Sequence, residues 1–377
     1  MPALTFLNLA GRAARRSRPR FDPPPFWIGE SGPEFASVWF PTGGCAWDFR
    51  GYCAACNFGH PSRPSATRTL EGVALGLSAL PEIPRVLWIS SFNVLHDKEV
   101  SPLVREQLYR LVAATTCEVV MSESHPSTVT VEAVAACVKW LEGKTFAIEV
   151  GAESMNDFIR TWCVHKDFET SEVERAISAA HSAGAQCHLN LMVGAAFLTE
   201  AEAVDYAVSS TEQAFNAGAD GVVLFPCRVK EHTLLHWLCE RNLSAPPSLC
   251  ALSEVLLRVD PRLLKNISIS WLTSKPHPGR PNDSQPMVHH SSPQVVMGAF
   301  AEFDRSREVR ELESLRTDAV YQKWLDTLRN PGDLLPQRLA TAFKRVADEL
   351  LPTGWWNAHG VAVLAGMTAD WEAKNIP

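Results

Sequence analysis

The chain has 377 residues, of which 46% are hydrophobic and 20% charged, and its formal net charge is −7. This composition predicts a folded protein with a large apolar core and excludes a disordered scaffold. The acidic charge argues against nucleic acid as the main partner. No apolar segment has the length of a signal peptide or a membrane span, so we expect a cytoplasmic protein without a membrane partner.

The first 34 residues are predicted to form an N-terminal arm that is basic and rich in proline. Residues 12–20 read RAARRSRPR, and FDPPPFW follows shortly after them. A run of this kind is typical of a mobile tail. The alternative is that this basic arm binds RNA.

Short apolar runs alternate with helical patterns from residue 35 to residue 228. The predicted strands are 35–41, 85–91, 117–121, 145–150, 187–193 and 221–226, and the predicted helices between them are 67–80, 102–114, 130–142, 171–183 and 200–217. Parallel neighbours need a crossover connection, which is usually a helix, so these units predict a parallel sheet. Six units are too few for a closed eightfold barrel. The predicted fold is therefore α/β, a partial (β/α)6 barrel resembling a TIM barrel.

The pattern changes after residue 228. Residues 229–292 are predicted to extend the barrel, with one more strand at 266–272 and a Pro- and His-rich substrate loop at 274–293. Residues 293–377 are predicted to form a mainly helical C-terminal region. Four loop residues are candidates for contacts with a small anionic substrate, although a solvated loop explains them equally well: His277, Arg280, His289 and His290.

Three of the ten cysteines are clustered directly after the first predicted strand. Cys45, Cys53 and Cys56 form a C-x7-C-x2-C pattern in GGCAWDFRGYCAACNFG. Three such thiolates can hold three irons of a [4Fe-4S] cubane and leave the fourth iron open to a ligand. Zinc is the alternative, because His60 could complete a Cys3His site. The position at the carboxyl end of a parallel strand, where ligands bind in such sheets, favours the iron–sulfur cluster.

The remaining cysteines stand singly in apolar or helical segments and are predicted to be buried free thiols. They are Cys117, Cys137, Cys163, Cys187, Cys227, Cys239 and Cys250.

On these residues the chain resembles the radical S-adenosylmethionine (SAM) superfamily, in the branch with an Elp3-like core that includes the archaeosine synthase radical SAM subunit. The likeness covers roughly residues 35–280. Its elements are the cysteine triad with an aromatic residue two positions on, VGAES at 150–154, GAAFLTEAEA at 194–203, and the stretch from residue 225 to residue 256.

The resemblance implies a [4Fe-4S] cluster on the three cysteines and SAM chelated to the open iron through its amino and carboxylate groups. It further implies that an electron from the reduced cluster cleaves SAM, normally to a 5′-deoxyadenosyl radical. The expected partners are a small-molecule substrate and a reductant such as flavodoxin or ferredoxin.

Residues near the strand ends are the candidates for holding SAM. Glu153 matches a family position that contacts the methionyl or ribose part, and Glu123 and Asn190 occupy similar positions. Lys166 could reach the carboxylate as a point charge, with His165 beside it as an alternative. The alternative for every one of these residues is a surface cap or an ordinary polar residue of the core.

Four further residues complete the predicted cofactor site. Ser91 and Asn93, after the second predicted strand, can donate and accept hydrogen bonds at the amino group or the ribose. Phe58 and Phe225 are expected to cover the adenine.

The leading hypothesis is a radical SAM enzyme that transforms a small molecule in specialised metabolite biosynthesis. One alternative transfers the 3-amino-3-carboxypropyl group to a soft acceptor such as trivalent arsenic, held by thiols such as Cys163 or Cys227. Another is radical modification of a tRNA nucleoside. The acidic charge argues against it, and so does the segment 274–283, which has no cysteine where the archaeosine branch carries one. The non-enzymatic alternative is a zinc-stabilised binding protein.

Overall fold

The computed structural model describes residues 2–15, 23–59, 64–272, 284–329 and 332–374. One sheet holds eight strands in chain order. They are β1 (Trp27–Ser31), β2 (Phe35–Trp39), β3 (Val86–Ser90), β4 (Val119–Ser124), β5 (Thr145–Glu153), β6 (Gln186–Val193), β7 (Gly221–Pro226) and β8 (Ile267–Ile269). The pair β1–β2 is antiparallel, and every later neighbour pairs in parallel. The sheet curls into a half-barrel.

Helices connect the parallel strands and form the C-terminal region. In the described chain they are α1 (Pro2–Ala14), α2 (Ala46–Phe49), α3 (Ala66–Ser78), α4 (Pro102–Ala113), α5 (Val131–Trp140), α6 (Asp157–Ile159), α7 (Thr170–Ser182), α8 (Glu200–Asn216), α9 (Leu234–Cys239), α10 (Leu249–Arg258), α11 (Pro293–Ser306), α12 (Arg310–Leu315), α13 (Ala319–Leu328), α14 (Leu335–Leu350) and α15 (Trp355–Lys374). Local sequence fixes their starts. For example, Thr199 and Glu202 form a reciprocal capping box at α8.

Burial alternates along the strands, and this alternation defines the lumen of the half-barrel. In β6, Leu189 and Leu191 are buried in the main apolar core. Asn190 and Met192, which point to the other face, are only half-buried. Successive side chains of a strand point to opposite faces of the sheet. The helix-covered face is therefore packed, while the concave face keeps accessible surface and polar groups.

The predicted fold class is confirmed. All six predicted strands are present as β2 to β7, and the strand predicted at 266–272 is the short β8. The five predicted crossover helices are α3, α4, α5, α7 and α8, and their observed ends lie close to the expected ones.

The prediction of a mobile N-terminal arm is wrong for the described part of residues 1–34. Phe6, Leu7 and Ala10 of α1 are buried in a second apolar cluster. The ring of Phe6 lies 5.0 Å from that of Phe343 in α14. The apolar spacing of α1 is amphipathic, and this pattern outweighs the basic charge that suggested a tail. Residues 16–20 of the basic run lie outside the described residues.

Two contacts join the C-terminal helices to the barrel. Glu254 of α10 accepts hydrogen bonds from Arg316 (2.8 and 2.7 Å) and from Tyr321 of α13 (3.0 Å). In the second apolar cluster, α14 and α15 pack with α1. Within the described ranges, each helix is too short or too polar to span a bilayer.

Candidate functional site

The cysteine loop follows β2 and carries the short helix α2. Cys45 is the N-cap residue of α2, and its sulfur accepts from the amide of Asp48 at 3.5 Å. Burial raises the pKa of the Cys45 thiol. The interaction between the neighbouring thiols of Cys53 and Cys56 lowers the pKa of Cys53 and raises that of Cys56.

Arg15 anchors this loop from the end of α1. Its guanidinium donates to the carbonyl oxygens of Asp48 (2.5 Å), Cys53 (2.7 Å) and Cys56 (2.6 Å). It also forms an ion pair with the fully buried carboxylate of Asp48. The forked guanidinium can satisfy several acceptors at once, so the loop is held as one unit.

The three thiols are soft donors of the kind that iron–sulfur clusters use. The charges of all three thiols act on Lys166. Among the described residues, no set of three His, Cys, Asp or Glu side chains is arranged to hold a metal ion. A cubane spreads its ligands over separate irons, whereas zinc draws them onto one tetrahedron. The proposed zinc ligand His60 lies outside the described residues.

Glu99 is a neighbour of the loop that sequence reasoning missed. Its Oε1 accepts a hydrogen bond of 3.1 Å from the backbone amide of Ala46. Its Oε2 is buried without a hydrogen-bond partner in the described part of the chain. Burial raises the pKa of Glu99 to about 8. An acid at this position therefore stays largely protonated near neutral pH.

Glu123 and Glu153 lie on adjacent strands and converge over Gly151. A methyl group on Gly151 would lie 3.6 Å from Oε1 of Glu153 and 3.9 Å from Oε1 of Glu123. The register of β5 and β6 shifts between Gly151 and Glu153, and Glu153 has a φ of 63°. Left-handed backbone at a non-glycine residue is strained and is common at functional sites.

Lys166 faces this pair of acids and the cysteines. Its Nζ lies 3.2 Å from Oε1 of Glu153. Burial acts to lower the pKa of Lys166, but the charges of Glu153 and the three thiols outweigh it and raise the pKa. His165, the alternative to Lys166, instead packs by Trp47 and Tyr52, and burial lowers its pKa to about 3. The structure thus places Lys166, and not His165, beside the thiols.

Glu149 is a second acid that the sequence interpretation missed. It pairs with Glu123 across β4 and β5, and its Oε2 accepts from Nε1 of Trp88 at 2.8 Å. The amide of Asn190 lies 3.5 Å from the same oxygen, and Oδ1 of Asn190 has no hydrogen-bond partner among the described residues. Glu149 is the charged residue of the otherwise apolar segment TFAIEV. Charged side chains are rare in buried strands, and this was the signal that could have identified it.

Ser91 and Asn93 hold the loop after β3. The hydroxyl of Ser91 lies 2.6 Å from that of Thr42. Oδ1 of Asn93 accepts from Ser124 (2.9 Å) and Thr128 (2.8 Å). These bonds fix the backbone of Phe92 between them, so the two polar side chains have clear roles inside the protein. Their contact with SAM stays a prediction.

Phe58 belongs to an aromatic cluster that adjoins the acids through Trp88, whose ring lies 4.7 Å from that of Trp39 and whose Nε1 donates to Glu149. The ring centroid of Phe58 lies 5.0 Å from that of Phe92, 6.2 Å from Trp39 and 6.4 Å from Trp271. Phe225 is half-buried on β7 and paired with Met192 of β6. The two residues expected to cover the adenine therefore come from separate elements.

A small cavity lies at the carboxyl ends of β5 and β6. Its lining includes Glu153, Met192, Gly194 and Tyr206. Gly194 has a φ of 86°, and a methyl group there would meet Pro247 at 2.6 Å. The wall of the cavity is thus formed in part by a backbone position that only glycine fits.

Two groups of predicted residues lie away from this site or outside the described chain. His289 stacks on Trp324 at 5.9 Å and lies 3.5 Å from Glu200, while Nδ1 of His290 accepts from the amide of Ser292. His277 and Arg280 lie outside the described residues. Cys163 and Cys227 are buried in the second apolar cluster.

The ten cysteines are all free thiols. Of the seven predicted to be buried, six are buried and Cys239 is half-buried.

The chain is similar to known archaeal proteins, although no protein-family model matches it. It is 27% identical over 262 residues to archaeosine synthase subunit beta of Methanosarcina acetivorans, which covers 66% of this chain and 75% of that relative. The protein of the same name from Thermococcus kodakarensis is 26% identical over 173 residues, or 46% of this chain and 53% of the relative. Among solved structures, Elp3 of Methanocaldococcus infernus has a TM-score of 0.46 at 14% identity, covering 65% of this chain and 57% of that one.

Over about two thirds of its length the chain is therefore similar to archaeosine synthase subunit beta, a protein of the branch that its sequence resembled. These similarities leave the reaction of this chain open.

Proposed function

We propose that this protein holds a [4Fe-4S] cluster through Cys45, Cys53 and Cys56 and cleaves SAM reductively to transform a small molecule, in specialised metabolite biosynthesis. The observation that carries the proposal is that Cys45, Cys53 and Cys56 share the loop after β2 and that the charges of all three thiols act on Lys166. This loop lies at the carboxyl end of a parallel strand, where α/β sheets bind their ligands.

The three cysteines would hold the cluster by their thiolates, and Arg15 keeps their loop in shape through the carbonyls of Cys53 and Cys56. When bound, the reduced cluster supplies the electron for cleavage of SAM. Cys53 is the thiol whose pKa is already lowered, by its interaction with the neighbouring Cys56. Because thiolates bind metal and thiols do not, we expect assembly to release protons.

Lys166 and the acids bind and orient SAM in the proposed site. The ammonium of Lys166 fits the SAM carboxylate, while Glu153 and Glu123 fit its ammonium and ribose hydroxyls. Asn190 presents an amide oxygen without a partner in the described chain, which can accept from a ribose hydroxyl. Ser91 and Asn93 support these contacts from the loop after β3. Phe58 and Phe225 are proposed to bound the adenine on its two sides.

A small-molecule substrate fits the described surface better than a tRNA. Arg15 is buried and bound to the cysteine loop, and Arg12 donates to the carbonyl of Arg50 at 3.3 Å. Two basic residues of the presumed RNA contact are thus engaged within the protein, and the net charge is −7. We propose a cytoplasmic enzyme that takes electrons from a reductant such as flavodoxin or ferredoxin.

Anaerobic turnover with dithionite and SAM tests this proposal. We expect 5′-deoxyadenosine and methionine from the wild-type protein and neither from the variant with all three cysteines changed to Ala. Methylthioadenosine as the nucleoside product would support transfer of the 3-amino-3-carboxypropyl group instead. Cleavage that survives in the triple variant, or no cleavage at all, would contradict the proposal.

A further inference from the structure

The lumen of the half-barrel has two chemically different walls. Acids and amides from β4, β5 and β6 line one wall, as described above. Aromatic rings line the other, and they come from four separate segments: Trp39 at the end of β2, Phe58 after the cysteines, Phe92 after β3 and Trp271 after β8. All four side chains are half-buried, so each keeps surface open to a ligand.

The backbone presents two of these rings from unusual conformations. Phe92 has a φ of 57° and Trp271 a φ of 58°. Bulky residues rarely adopt left-handed backbone, and such positions persist only where neighbouring contacts enforce them. Here Ser91 and Asn93 pin the loop around Phe92, and the buried guanidinium of Arg228 donates to the carbonyl of Trp271. Both rings are therefore held at a conformational cost.

Lys230 supplies a positive charge to the aromatic wall. Its Nζ lies 3.9 Å from the ring centroid of Phe58 and 5.7 Å from that of Trp271. Its charge also acts on the thiol of Cys56. Across the described ranges Lys230 makes no ion pair, whereas Lys166 is paired with Glu153. A half-buried ammonium above aromatic faces can accept an anionic partner without first breaking a salt bridge.

We propose that Trp39, Phe92 and Trp271, with Lys230 over the rings of Trp271 and Phe58, form the substrate site, and that it takes a planar aromatic ligand bearing a carboxylate or a phosphate. Ring stacking on Trp and Phe favours a planar ligand. The charge of Lys230 selects an anionic group, while the acids from β4 and β5 repel it. Phe58, two residues after Cys56, contacts all three rings and so connects this site to the cysteine loop.

This inference rests on the proposed function for the position of the cofactor, but its test needs no turnover. The probes are naphthalene-2-carboxylate, 2-naphthyl phosphate and the cationic control 2-naphthylmethylammonium, titrated calorimetrically into the anaerobically purified protein. The two anions distinguish a carboxylate from a phosphate ligand. The variants are Lys230→Met, Lys230→Gln and the exposed-lysine control Lys323→Met.

We expect at least one anionic probe to bind at least tenfold more tightly than the ammonium probe. Either Lys230 variant should abolish that preference, and Lys323→Met should retain it. Equal binding of all probes to the wild type, or no binding, would overturn the proposal. An unchanged preference for the anionic probes in the Lys230 variants would also overturn it. The same holds if these variants keep that preference and lose affinity for SAM. Anion preference in a protein without iron would refute the proposed function and retain this site.

Discussion

Arg15 donates a hydrogen bond of 2.6 Å to the carbonyl oxygen of Cys56, although the two residues are 41 positions apart in the chain. The same side chain donates to the carbonyl of Cys53 and pairs with the buried carboxylate of Asp48. The N-terminal helix is therefore part of the support of the cysteine loop. A residue at the end of α1 fixes the backbone from which two of the three thiols project.

Replacing Arg15 should impair both folding and iron binding. Arg15→Ala leaves the charge of Asp48 buried without its partner, which costs about 3 kcal/mol of unfolding free energy. Arg15→Lys keeps the charge but cannot span three carbonyls, so we expect an intermediate loss. Denaturant unfolding and iron content per chain measure the two effects. The exposed Arg310→Ala in α12 serves as control, and iron content equal in Arg15→Ala and Arg310→Ala would contradict this role.

Gly151→Ala should block SAM binding without harming the fold. A methyl group at this position meets Glu153 and Glu123 at 3.6 and 3.9 Å, which are ordinary contacts. It would, however, occupy the space over which both acids converge. We expect unfolding free energy within about 1 kcal/mol of wild type and a loss of SAM affinity of at least tenfold, measured by equilibrium binding. Gly298→Ala in α11, with open space around it, is the matched control. Wild-type SAM affinity in Gly151→Ala would place the cofactor elsewhere.

Glu123→Gln should stabilise the SAM-free protein at high pH only. Burial, followed by the charges of Glu149 and Glu153, raises the pKa of Glu123 well above its ordinary value. The folded state then keeps a proton that the unfolded state loses, so stability falls as pH rises above about 4.5. The substitution removes this loss and should add on the order of 1 kcal/mol at pH 8 but not at pH 4. Urea unfolding at both values checks it, with the exposed Glu82→Gln as control. An equal effect at the two pH values would show that titration is not the cause.

Glu254→Gln should loosen the C-terminal helices with the opposite pH dependence. Burial acts to raise the pKa of Glu254, but the hydrogen bonds and charge of Arg316 outweigh it and hold the pKa below its ordinary value. The pair therefore stabilises the fold above about pH 4.5, and this contribution is lost as pH falls. Because Arg316 is 39% exposed, we expect a loss of about 2 kcal/mol at pH 7, less than for a fully buried pair. Chemical unfolding measures it, and Glu313→Gln is the exposed control. A loss of the same size at pH 3 would contradict the assignment to the charged pair.

Periodicity was enough to predict the barrel, and spacing was enough to identify three cysteines as candidate metal ligands. Short apolar runs separated by capped helices identify β2 to β7, because parallel neighbours need crossover helices. The cysteine triad could be recognised because its three members lie within twelve consecutive residues, 45–56.

The contacts of the site could not be predicted in the same way, because they depend on which distant segments meet. In the sequence, Arg15 belongs to a basic run that is typical of solvated tails. In the structure, the end of α1 places it against the cysteine loop. Glu149 was hidden inside an apolar strand, and Lys230 follows a strand end with no motif of its own. The choice between His165 and Lys166 depended on the left-handed turn at His165, where φ is 65°.

The most direct test of the account is the iron and sulfide content of the protein purified anaerobically. We predict about four of each per chain in the wild type and in the half-buried control Cys239→Ala. The variant with Cys45, Cys53 and Cys56 changed to Ala should contain none while keeping its helical circular dichroism. A colourless wild-type protein that carries zinc and no iron would contradict the account.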